Sequence, residues 1–173
     1  MKSRTRARSI ALQALYEIDV TGHPTGIVLE ERIQEGELDA ELGEFSRQIV
    51  VGVAPLFETL DRFIAEHAPE WPMEQVAAID RNILRMALWE FAVYGGTPIK
   101  VAINEAVELA KTYGSDSTPR FVNGVLGSLA ARQSEIRDAL KKVIPKRDIS
   151  PGGEIEGPPN GEEHDAPAPG DAE

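Results

Sequence analysis

Between Ser3 and Val143 the apolar residues recur at three- and four-residue steps, and no segment alternates apolar with polar at every second residue. A half-buried strand needs that alternation, whereas an amphipathic helix needs the longer step, so the chain is restricted to packed helices. The first helix is expected over Ser3 to Val20, with Ala7, Ile10, Ala11, Ala14, Leu15 and Ile18 on its apolar face. Thr21-Gly22-His23-Pro24 breaks it, and a short helix follows over Ile27 to Ile33, ending near Gly36. Leu38 to Phe63 reads as a longer helix that Pro55 kinks or divides, because proline removes a backbone donor. The next helical region, about Met73 to Tyr94, turns Val76, Ile79, Ile83, Met86 and Phe91 inward and ends at Gly95-Gly96. Thr97-Pro98 and Thr118-Pro119 each read as an N-cap followed by a first-turn proline. The first of these opens a helix to Gly114, and the second opens one that reaches toward Val143, with Gly124 and Gly127 as points of close helix packing or, since Asn123-Gly124 is also a turn signal, a break there. Short connections favour antiparallel neighbours in compact bundles. The expected fold class is therefore all-α.

Charge divides the chain unevenly. The whole sequence carries a net charge of −11. Residues 145–173 hold Lys146 and Arg147 against eight acids, a net of −6, together with half of all the prolines. So polar a segment buries too little surface to offset the entropy of ordering, and it reads as a disordered tail after a helical domain over 1–144. The first ten residues carry Lys2, Arg4, Arg6 and Arg8 and no acid. The absence of cysteine excludes disulfides, thiol nucleophiles and cysteine-ligated zinc. With no apolar run of membrane-spanning length and no signal-peptide core behind the basic start, a cytoplasmic protein without membrane contact is expected.

Residues for chemistry are scarce. His23, His67 and His164 have no ligand partner at helical spacing and read as solvated. Glu105 and Glu108 read as surface carboxylates, since a di-iron pair needs a histidine three residues on. Ser115, Ser117 and Thr118 suit capping or turns, with no base beside them in sequence. No phosphate-cradling glycine loop is present. No catalytic residue, metal site or cofactor is expected. Binding signals are better. Arg4 and Arg8 are one turn apart and suit one phosphate track, with Arg6 on the flank. Cations in a first helical turn oppose the helix dipole, which points to a use outside the helix. Arg120-Phe121 pairs a cation with an aromatic ring at a helix start. That is either a platform for an unpaired base or a core phenylalanine beside a solvated arginine.

Three segments in order resemble the NusB family of bacterial transcription antitermination proteins: RARSIALQALYEIDV at 6–20, VAAIDRNILRMALWE at 76–90 and PIKVAINEAVELAKTYGSDSTPRFVNGVL at 98–126. The resemblance covers nearly all of residues 3–135. It implies two small helical bundles, about 1–70 and 71–144, packed together. It also implies a non-enzymatic adaptor that binds boxA RNA together with a small-subunit ribosomal protein, NusE, within an RNA polymerase antitermination complex on ribosomal RNA operons. By the same resemblance Arg4, Arg6, Arg8, Arg120 and Phe121 contact RNA, and Tyr16 and Asp80 contact the ribosomal protein. Thr5 stands where some relatives carry another arginine, and Ser117-Thr118-Pro119 replaces a more acidic turn. Two other readings stay open: a helical scaffold that binds protein alone, and a detached RNA-binding module related to RNA cytosine methyltransferases. The sequence also leaves open whether the chain is a monomer or a homodimer.

Overall fold

The structure, a computed structural model, describes residues 3–70 and 72–144. The tail expected over 145–173 lies outside the described residues. Within them there are eight α-helices and no strand: α1 Ser3–Thr21, α2 Thr25–Glu35, α3 Ala40–Val53, α4 Phe57–His67, α5 Ala78–Trp89, α6 Ile99–Tyr113, α7 Thr118–Ala130 and α8 Gln133–Val143. Pro55 divides the third expected helix through a 3-10 turn at Ala54–Leu56. α1 packs on α2 and α3 to form an N-terminal bundle. α4 leaves that bundle at the Pro55 turn and packs on α5 and α7, while α5, α6 and α7 pack on one another.

Two central helices hold the bundles together. α1 crosses onto α5, and small residues make this close: Ala7, Ala11 and Ala14 are fully buried beside Leu12 and Leu15. α5 is buried without interruption from Asn82 to Trp89, as a helix enclosed on all sides must be. It runs on into a π-helical turn at Glu90–Tyr94 that aims the Glu90 side chain into the core, and Gly95 closes it at φ 69. Every buried side-chain nitrogen and oxygen among the described residues has a hydrogen-bond partner, as polar groups removed from water require.

Several local expectations change. Thr97 does not cap α6; the helix begins at Ile99, and the Thr97 hydroxyl donates to Glu90 Oε1 at 2.9 Å. The buried Glu90 carboxylate is a strong acceptor for that hydroxyl hydrogen. Helix α7 runs through Asn123-Gly124, but the chain breaks at Ala131–Arg132 before α8. Gly124 and Gly127 face solvent, and a Cβ on either would meet nothing within 4 Å, so they are not close-packing positions. The apolar spacing that carries α7 is Val122, Val125, Leu126 and Leu129, all buried on the other face. His67 is not a solvated loop residue. It ends α4 with its ring stacked on Phe63 and its Nδ1 2.9 Å from the Phe63 carbonyl.

Candidate nucleic-acid interface

The first turn of α1 separates its three arginines. Arg4 and Arg6 are exposed, whereas Arg8 is 4% exposed. Arg4 lies over the ring of Phe45 on α3, 4.7 Å from guanidinium carbon to centroid, and Arg6 donates to the Gly36 carbonyl after α2. Arg8 turns inward, because successive helical residues are 100° apart and residue 8 follows the buried Ala7. Its Nε and Nη2 both reach Glu90, Nη2 at 2.5 Å, and Nη1 lies 3.7 Å from Glu105. The expected common phosphate track of Arg4 and Arg8 is therefore absent; the Arg8 charge is taken up by a carboxylate on the far bundle. Glu105, expected at the surface, is drawn in by the same cluster and accepts from the Thr5 hydroxyl at 2.8 Å.

α6 ties this basic start to the second candidate. The Tyr113 hydroxyl at the end of α6 bonds Ser9 and receives Gln13 Nε2 at 2.9 Å. Gly114 follows at once, and a Cβ there would stand 2.4 Å from the Thr118 side chain, so the tight turn into α7 needs a glycine. In that turn the Ser115 amide donates to Thr118 Oγ1 at 2.9 Å. Thr118 does not cap α7. It is the first residue of the helix, 1% exposed, and its hydroxyl reaches the Asp80 carboxylate on α5 at 3.1 and 3.2 Å. Arg120 is exposed two residues on, in the same first turn, and Phe121 is half-buried, one side against the core.

The partner candidates lie on neighbouring helices. Tyr16 on α1 is 41% exposed. Beyond it, Asp19 receives Arg81, Asn82 and Arg85 at 2.8, 3.0 and 3.0 Å, and Arg85 also forks onto Asp61. Burial pushes the Asp19 carboxyl up, but its hydrogen bonds and the nearby arginines outweigh that and hold it below the ordinary range. Asp80 is the opposite case: burial raises its carboxyl, and only the Thr118 hydroxyl pulls it back. This network, with Arg8–Glu90, gave no signal at the sequence level, since arginine in an amphipathic pattern reads as solvated. Its arginine–carboxylate pairs join residues 24 to 82 apart in sequence. No group of acids and histidines that could hold a metal occurs among the described residues, and no described helix is long and apolar enough to cross a membrane.

The model of the NusB family matches residues 5–131. This chain belongs to the NusB family. It is 48% identical over 134 residues to the transcription antitermination protein NusB of Roseiflexus castenholzii, covering 76% of this chain and 94% of that one. The Bacillus cereus NusB is 42% identical over 130 residues, with 75% and 97% covered. Among solved structures, a crystal structure of the antitermination factors NusB and NusE in complex with dsRNA superposes with a TM-score of 0.67 at 26% identity, over 80% of this chain and 98% of that one. NusB from T. maritima gives a TM-score of 0.69 at 28% identity, with 80% and 98% covered. As a NusB-family protein the chain is a transcription antitermination factor, an RNA-binding regulator and not an enzyme.

Proposed function

We propose that this NusB-family chain binds boxA-type RNA jointly with the small-subunit ribosomal protein NusE, and so brings both into an RNA polymerase antitermination complex on ribosomal RNA operons. One observation carries the reading: two helix starts present exposed cations, Arg4 and Arg6 on α1 and Arg120 on α7, and Tyr113, which ends α6 just before the turn into α7, bonds Ser9 and Gln13 of α1. The protein as a whole is acidic at −11, so cations left exposed at two first turns stand against the general field. Arg4, Arg6 and Arg120 neutralise phosphates, and Phe121 stacks its outer face on a base. Arg8 supports the site from behind by fixing the first turn of α1. Tyr16 and Asp80 meet NusE, with Asp80 taking a basic side chain. Support for the partner comes from the relative that crystallised with NusE and dsRNA.

About three phosphate contacts give weak binding alone and a shallow salt slope. Fluorescence anisotropy with boxA-like and scrambled RNA, with and without NusE, tests the reading. NusE is expected to tighten binding to boxA alone. If neither RNA binds at near-physiological salt even with NusE, the chain is a protein-interaction module. A finer expectation concerns Ser117, exposed in the turn before Arg120. Ser117→Asp places a negative charge near the phosphates and is expected to weaken boxA binding by about 1 kcal/mol, roughly fivefold. Unchanged affinity in the same assay would remove Ser117 from the RNA surface.

A further inference from the structure

Among the described acids that are not exposed, Glu17, Asp19, Asp61, Glu90 and Glu105 each pair with an arginine. Asp80, also part-buried, pairs with none. Its charge is met by one neutral group, the hydroxyl of Thr118. The same hydroxyl oxygen accepts from the Ser115 amide at 2.9 Å and lies 3.1 Å from Ser115 Oγ, which lies in turn 3.2 Å from Ser117 Oγ. Thr118 opens the turn that carries Arg120 and Phe121. The start of α5, which offers a carboxylate to a cation from outside, is thus joined by one hydrogen bond to the start of α7.

Resting on the function proposed above, we infer that the Asp80–Thr118 hydrogen bond is the link through which a cationic side chain of the protein partner, docked at Asp80, strengthens RNA binding at Arg120 and Phe121. A cation docked on Asp80 gives that carboxylate a second anchor and holds it in the orientation that accepts from Thr118. The first turn of α7 is then pinned to α5. Without the cation Asp80 has the Thr118 hydroxyl alone, and the turn exchanges between a pinned and a released arrangement. The partner favours one of them, and that differential affinity is what couples two binding sites. Linkage is reciprocal, so RNA strengthens partner binding by the same factor. Thr118 is a positioning residue here and touches neither ligand.

The test measures a coupling factor: the RNA dissociation constant of the full chain alone divided by that at saturating NusE, read by anisotropy with boxA-like RNA. Thr118→Val keeps the shape and removes the hydroxyl, and Thr118→Ser restores it. Thr118→Val is expected to lower the coupling factor about fivefold or more, with RNA binding by the isolated chain little changed, while Thr118→Ser keeps the wild-type factor. A purely structural role for Thr118 would instead weaken both RNA measurements together. A folded Thr118→Val that retains full coupling overturns the inference and leaves the proposed function standing. A wild-type chain that shows no coupling to NusE removes the function itself, and the inference with it. If circular dichroism shows Thr118→Val unfolded, Asp80→Asn takes its place, since it removes the charge and keeps an acceptor; full coupling in that variant likewise overturns the link.

Discussion

Arg8→Ala is expected to lower the unfolding free energy by about 3–5 kcal/mol, because it strands a buried carboxylate without its cation. Glu90 is 2% exposed, and after the change it keeps only the Thr97 hydroxyl at 2.9 Å and loses both nitrogens of the Arg8 fork. Glu105 loses the same cation and keeps Thr5. Arg8→Lys is expected to recover part of the loss, since an ammonium restores charge but not the planar fork. Replacing both partners, Arg8→Met with Glu90→Met, is expected to recover more, because an apolar pair leaves no charge to desolvate. Urea denaturation followed by circular dichroism measures all four chains. Wild-type stability in Arg8→Ala together with lost RNA affinity would reverse the assignment and return Arg8 to the phosphate track read from the sequence.

Phe121→Leu is expected to weaken boxA binding in the presence of NusE by about 1–3 kcal/mol, the range measured for stacking of one base on an aromatic ring. Leucine is the informative replacement. Phe121 lies partly against the core, so Phe121→Ala would remove packing as well as the ring, and the two losses would mix. Leucine keeps most of the contact with the core and removes the flat ring. Its unfolding midpoint is therefore expected to stay close to wild type while RNA affinity falls. Equal affinity for Phe121→Leu and wild type would make Phe121 a core residue, and RNA contact would fall to the arginines alone.

Helix positions were legible because apolar spacing is a local property. α1 falls within a residue of its expected end, and Pro55 divides α3 from α4 where its missing donor demands. Caps were less legible. Thr97 and Thr118 have the composition of N-caps, yet both hydroxyls go to carboxylates on another part of the fold, Glu90 and Asp80. The site residues show the same limit. Exposure of Arg4, Arg6 and Arg120 agrees with the reading of helix starts, while Arg8 is spent on an acid 82 residues away that no local rule connects to it. Family resemblance supplied the fold and the general role; it did not say which arginine faces in.

The longest of these connections also set an order in time. α1 is synthesised before several of the groups its polar side chains reach, Glu90, Glu105 and Tyr113 among them. At about 5–20 residues per second, roughly 5–20 s separate the appearance of Arg8 from that of Tyr113. Until α5 is made, α1 has α2 and α3 to cover one face and nothing from the second bundle to cover the other. A chain stalled on the ribosome before Ala78 would therefore show α1 incompletely protected from protease, and the two helix starts could not yet act together.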